Sequence, residues 1–275
     1  MQFPRLASRF PGKRAFITGA GSGLGLAVSN ALARDGWSLG LFDRNLERLT
    51  AVEGELSSAG VRVLAYPGDV THADELTVAV NTFAATCNGL DIMINNAGVA
   101  VSGNVMDITL DDWRWIVDIN LMGVVHGCRA AIPHLQRNNS GLMINIASAA
   151  AFASAPQMAT YNATKAAVVS LSETLVNELR SSRTQVSVAM PSFFRSNLLE
   201  SLRGDPATRA SAERFMNASG YGAEEAAHDI LKMAGAGKLY IVVPASARAL
   251  WRLKRWMPGL FLKGIAAMRE RARGN

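Results

Sequence analysis

The chain has very little cysteine. Only Cys87 and Cys128 occur in 275 residues. Neither sits in a ligand pattern, so no disulfide framework or zinc site is expected. The four histidines, His72, His126, His134 and His228, also lack spacing for metal or triad chemistry, and read as surface or packed side chains. Long apolar runs are missing too. No stretch approaches the roughly 18 uninterrupted apolar residues of a membrane span. The N-terminal MQFPRLASRFPGKRAF carries no apolar run long enough for a secretory signal. A reducing, cytoplasmic setting is the expectation.

Charge of one sign is scarce over most of the chain. The net charge is +6, but residues 245–275 hold eight Lys/Arg and one acid, Glu270, so positions 1–244 carry a net −1. A generally basic nucleic-acid-binding surface is therefore not expected. Charged residues are 18% and hydrophobic residues 49%, which argues against a mainly disordered chain.

Seven short apolar runs punctuate the sequence: RAFITGA, WSLGLFD, RVLAYPGDV, LDIMINNAG, GLMINIAS, QVSVAMPS and KLYIVVP. Helix-length segments near 23–35, 44–59, 73–87, 109–138, 158–181 and 223–235 separate them. This alternation predicts an α/β protein, a doubly wound Rossmann fold with a seven-stranded parallel sheet and helices on both faces. With no internal repeat or low-complexity linker, residues 1–244 read as one catalytic domain. Residues 192–222 form a long insertion at the carboxyl end of a strand, the position of a substrate lid. Residues 245–275 form a basic C-terminal extension.

The segment Thr18-Gly19-Ala20-Gly21-Ser22-Gly23-Leu24-Gly25 follows the first strand and opens the first long helix. Glycines at 19, 23 and 25 permit a tight turn, close approach to a pyrophosphate and close helix–strand packing. The helix N-terminus adds unpaired N–H groups and a favourable dipole. Asp43 ends the second strand, where a carboxylate accepts ribose hydroxyls and repels a 2′-phosphate. Asp43 also suits an N-cap for the next helix. NAD is favoured over NADP, with Arg44 as the residue that could pair with a 2′-phosphate.

Tyr161 and Lys165 stand four residues apart, and Ser148 lies thirteen before the tyrosine. On a helix, positions i and i+4 share a face, so a cation near the phenol is expected to lower a pKa of about 10. A serine hydroxyl beside it could hold a carbonyl or alcohol oxygen while a proton moves.

Together these motifs resemble the classical short-chain dehydrogenase/reductase family, and the likeness runs across residues 12–244. Asp69-Val70 looks like the family's adenine-contacting pair, and Asn95-Asn96-Ala97-Gly98 matches the motif that steadies the sheet and borders the cofactor. Asn120 matches the asparagine that holds a water in the proton relay, and Ser148, Tyr161 and Lys165 complete the catalytic set. The resemblance implies reversible hydride transfer between NAD(P) and an alcohol/ketone pair. In that reading Tyr161 moves the proton, and Lys165 lowers its pKa and binds the nicotinamide ribose. It also implies a homodimer or homotetramer, with the helices near 109–138 and 158–181 in the interface. One motif departs. The family's Pro-Gly followed by threonine here reads Pro191-Ser192-Phe193-Phe194-Arg195-Ser196. Pro191, Phe194 and Ser196 are the cofactor-side candidates, with Ser196 offering its hydroxyl to the carboxamide.

The substrate candidates are Val99, Phe152, Met158, Phe193, Leu198 and Phe215. Their apolar character predicts a bulky hydrophobic alcohol or ketone of sterol, retinoid, fatty or aromatic type. The alternative function is a catalytically silent, cofactor-sensing binding protein of the same fold. In the tail, Ala249, Leu250, Leu253, Trp256 and Met257 share one helical face opposite Arg248, Arg252 and Arg255. That pattern suits either a peripheral membrane helix or a helix docked on the body.

Overall fold

The seven apolar runs form seven parallel strands in a computed structural model, which describes residues 3–137, 140–204 and 206–273. The strands are β1 (Arg14–Thr18), β2 (Ser38–Asp43), β3 (Val63–Pro67), β4 (Ile92–Asn95), β5 (Gly141–Ile146), β6 (Thr184–Pro191) and β7 (Tyr240–Val243). Their spatial order is β3-β2-β1-β4-β5-β6-β7, and every neighbouring pair is parallel. β4 and β5 are buried along their whole length, as expected of central strands covered on both faces. The order reverses between β1 and β4, which opens a crevice at their carboxyl ends, where sheets of this kind bind ligands.

Helices α1 (Pro4–Arg9), α2 (Gly23–Arg34), α3 (Leu46–Ser58) and α10 (Ala223–Gly235) supply side chains to the core on one face. Helices α4 (Ala73–Thr86), α5 (Leu110–Val117), α6 (Gly123–Arg137) and α8 (Ala159–Glu178) supply the other. On that second face Phe16 meets the Phe83 ring edge-on at 5.7 Å and stacks on Tyr66 at the same distance. Burying one such side chain contributes about 1.5–3 kcal/mol. Gly40 exists to admit this cluster: a Cβ there would lie 2.4 Å from the Phe16 ring.

Four local readings change. The helix expected over 109–138 is broken by a π-helical segment, Asp118–Met122, between α5 and α6. The cap of α3 is Asn45, which accepts from the Arg48 N–H, and not Asp43. The 192–222 insertion contains the helix α9 (Pro206–Ala218), and a short α7 (Ala150–Ala153) follows Ser148. The tail forms two helices, α11 (Ala247–Trp256) and α12 (Pro258–Arg273).

Candidate active site

The glycine-rich turn is pinned from both sides. Thr18 Oγ1 accepts the N–H groups of Asn96 and Ala97 at 3.0 and 3.1 Å, while Asn96 Nδ2 donates to the Thr18 and Gly19 carbonyls. Gly19 and Gly23 have φ of +65° and +53°, the region that glycine enters at little cost. A Cβ on Gly25 would lie 2.0 Å from Gly19 O, so the helix can reach the strand only without one. Ser22 precedes α2 without a side-chain cap, and Leu24 is buried in the first turn. The N–H groups of that turn are thus left for an anion. Asp43 accepts from the N–H of Gly21 at 2.8 Å and of Asn45 at 2.9 Å, which holds its carboxylate beside the loop. Arg44 is exposed beside it. Asp69 closes a turn by accepting from Thr71, and Val70 packs against Gly123 of α6. A narrow glycine cradle, an uncapped helix start and a carboxylate at the end of β2 fit a dinucleotide.

Across the crevice the polar groups are buried. Tyr161 and Lys165 lie on one face of α8, with Lys165 Nζ 5.7 Å from the centre of the Tyr161 ring. Lys165 is 3% exposed and donates to Ile146 O at 2.9 Å. Ser148, just beyond the end of β5, donates to Pro191 O at 3.4 Å, accepts the Ala150 N–H at 3.2 Å and lies close enough to Tyr161 to lower the phenol's pKa. Asn120, in the π-helical segment, clasps Val99 through both its backbone N–H and carbonyl, at 2.8 and 2.9 Å. Its second amide hydrogen reaches Thr164 Oγ1. The donors of Asn120 are thus engaged, and what remains is acceptor capacity on Oδ1. Asn120 Oδ1 and Lys165 Nζ both pack against Gly98, at 3.2 and 3.4 Å from where a Cβ would sit.

The electrostatics correct one expectation. Burial pushes the Tyr161 phenol above its ordinary pKa, and the Ser148 hydrogen bond only partly offsets this. Burial also pulls Lys165 down to about 8. The neighbouring cation was expected to dominate the phenol, but desolvation penalises both charged forms in a dry site.

The apolar candidates divide. Val99, Phe152, Met158 and Leu198 join the same cluster as Tyr161. Phe193 does not: it is 53% exposed, because burial alternates residue by residue from Pro191 to Asn197. The inward place goes to Phe194, which packs on the opposite core with Leu26 and Tyr221. Ser196 lies over the loop, with its Cβ 3.8 Å from where a Gly23 Cβ would be, and its hydroxyl accepts from Leu198 N. The side chain of Phe215 lies outside the described residues.

Several supporting residues carried no motif. Asn95 donates to Asn145 at 2.8 Å and Asn145 to Ser172 at 3.0 Å, a buried polar ladder across β4, β5 and α8. A lone asparagine inside the apolar run GLMINI was the available signal. The insertion is held by two side-chain pairs, Glu200 with Arg48 at 2.8 Å and Arg203 with Asp112, the Arg203 guanidinium lying 3.6 Å over the Trp115 ring, and by a parallel pairing of Arg203–Gly204 with Val101–Ser102. Nothing local in the sequence marks those pairs.

Fold and site define a dinucleotide-binding oxidoreductase of the Rossmann type. The model of the short chain dehydrogenase family matches residues 13–207, and the chain belongs to that family. It is 37% identical over 179 residues to an uncharacterized oxidoreductase of Staphylococcus aureus (strain USA300), covering 65% of this chain and 77% of that one. It is 31% identical to the 3-oxoacyl-(acyl-carrier-protein) reductase FabG of Staphylococcus aureus (strain Mu50 / ATCC 700699), covering 69% and 78%. A short chain dehydrogenase/reductase from Burkholderia phymatum, solved in complex with NAD, superposes with a TM-score of 0.85 at 30% identity over 90% and 94% of the two chains. An alcohol dehydrogenase from Thermococcus sibiricus complexed with 5-hydroxy-NADP shares the fold, with a TM-score of 0.73 at 24% identity over 84% and 95%.

Proposed function

We propose that this chain transfers hydride reversibly between a nicotinamide cofactor and a secondary alcohol or ketone, with a bulky hydrophobic substrate. The observation that carries the reaction class is the buried Tyr161 phenol, with the half-buried Ser148 hydroxyl and the buried Lys165 amine beside it. When bound, the cofactor accepts or returns the hydride. Tyr161 takes the alcohol proton in oxidation and gives it back in reduction. Ser148 holds the reacting oxygen by hydrogen bonding. Lys165, as an ammonium below about pH 8, favours the phenolate and would hold the ribose hydroxyls of a bound cofactor. Asn120 orders a water through the remaining acceptor capacity of its Oδ1 and links Lys165 to solvent.

The apolar candidates Val99, Phe152, Met158 and Leu198, which belong to or pack against the same core as Tyr161, support a sterol, retinoid, fatty or aromatic substrate. Asp43, which accepts the Gly21 N–H at the end of β2, supports NAD over NADP. The exposed Leu110 and Met122, on α5 and the segment that follows, support assembly into a dimer or tetramer through that helical face.

The test is a panel of alcohols and ketones with NAD and NADP, followed at the nicotinamide absorbance. Turnover is expected with lipophilic secondary alcohols and NAD. Preference for small polyols refutes the hydrophobic substrate, and preference for NADP refutes the role given to Asp43.

A further inference from the structure

The tail docks the wrong way round for a helix that merely closes a core. α11 lies against the edge strand β7 through Ala247, Arg248 and Trp251. Arg248 Nε donates to Val242 O at 3.1 Å, and the Trp251 ring lies 5.3 Å from Tyr240. Arg255 covers the same two rings at 5.6 and 5.7 Å. Two of the three arginines on the basic face, Arg248 and Arg255, are thus turned to the body. The face expected to be apolar points outward. Leu250 is 50% exposed, Met257 52% and Trp256 83%, and α12 adds Leu260 at 54% and Leu262 at 46%. Phe261 is buried, with Lys254 5.5 Å from its ring, so α12 folds onto α11 and leaves Leu260 and Leu262 exposed on either side of that contact.

The charges around this surface have one sign. From Ala245 to Ile265 there is no acidic residue, while Arg248, Arg252, Lys254, Arg255 and Lys263 are present. A groove of about 380 Å³ lined by Lys238, Trp251, Arg248 and Arg252 continues the basic surface toward the body. A two-fold contact with a second copy through this face would set like charges against each other. A bilayer surface rich in anionic lipid offers the complement: negative headgroups for the lysines and arginines, and an acyl boundary for Trp256 and the leucines. No helix among the described residues is long and apolar enough to cross a membrane, so the contact is peripheral.

We propose that α11 and α12 form a docking surface for anionic membranes, with Trp256, Met257, Leu260 and Leu262 entering the interface and the flanking cations meeting the headgroups. The surface holds the site at the lipid boundary, whatever substrate the site takes.

The test is flotation of the full-length protein with phosphatidylcholine vesicles, with and without phosphatidylglycerol. The expected result is flotation with the phosphatidylglycerol vesicles only, weakened by salt. Trp256→Ser with Leu260→Ser is expected to lower the bound fraction about tenfold or more while leaving nucleotide binding intact. Arg252→Glu with Lys263→Glu should also abolish flotation. A protein that stays at the bottom with both vesicle types overturns the proposal, as does flotation unaffected by these substitutions. A concentration-dependent doubling of mass, lost in the serine variant and without flotation, assigns the face to a second copy and overturns it equally.

Discussion

The crevice at β5 and α8 and the tail along β7 depart from the ordinary distribution of polar and apolar groups in opposite directions. The crevice buries an amine, an amide and a phenol: Lys165 at 3%, Asn120 at 0% and Tyr161 at 8% exposure. The tail leaves a tryptophan at 83%. Either departure works against folding, since buried polar groups must be partnered and exposed apolar area gains nothing from the core. Buried polar groups and exposed apolar patches are the informative exceptions in a folded chain. On the proposed reading, the first exception serves proton transfer and the second is completed by a membrane surface. The crevice satisfies its exceptions internally, through Ile146 O, Val99 and Ser148. The tail does not.

The contrast can be broken most forcefully at Tyr161. Tyr161→Phe is expected to lower kcat by about 10²–10⁴-fold while leaving nucleotide affinity unchanged. Steady-state kinetics together with calorimetric titration of the nucleotide decide it. Near-wild-type turnover would remove the phenol from the reaction.

Lys165→Met tests whether burial of the amine opposes stability. The folded-state pKa of Lys165 is about 8 against an ordinary 10.5, so the fold disfavours the ammonium. Between those pH values the unfolded chain binds the proton and the folded chain does not. Wild-type stability should therefore rise relative to the methionine variant by up to about 3 kcal/mol as pH climbs through that window. Urea unfolding at several pH values measures it, and a flat difference would show that the amine is not desolvated. The variant should also lose turnover.

A subtler effect is expected at Ser148. Burial raises the phenol's pKa and the serine hydrogen bond lowers it. Oxidation by the wild type should accelerate with rising pH as phenolate forms, and reduction should slow. In Ser148→Ala the residual oxidation profile should move to higher pH. A shift to lower pH would mean the hydroxyl stabilises the neutral phenol instead. The smallest effect is expected in the tail, where Trp256→Ser with Leu260→Ser should alter stability by less than about 0.5 kcal/mol. A larger loss in thermal unfolding would show that these side chains pack against the body.

Reading the sequence located the sheet, the glycine-rich loop and the Ser148, Tyr161 and Lys165 set because each is written locally, whereas Asn120 was marked only by the family resemblance. Strands announce themselves by β-rich apolar runs, the loop by three glycines, and Tyr161 and Lys165 by helical spacing. What escaped depends on contacts between distant positions. Asn145 could be noticed as polar in an apolar strand, but its partners Asn95 and Ser172 come from elements that only the folded sheet brings together. Glu200 and Arg48 lie 152 residues apart, and the Arg203–Asp112 pair spans 91. Phe193 and Phe194 are chemically alike, and only the path of the chain after β6 sends one outward and the other into the core. The helical wheel of the tail separated its faces, yet it could not say which one would meet the body.

By itself, then, the sequence determined the order of elements, the chemistry available at each position and the sign of charge along the tail, because these follow from side-chain identity and short-range spacing. The tertiary structure decided how dry the crevice is, which way the tail faces and which distant side chains meet. Desolvation and long-range pairing depend on what surrounds a group in space. For that reason the proton-transfer pair was legible as a pattern, while the upward shift of Tyr161 and the fall of Lys165 to about 8 emerged only in the fold.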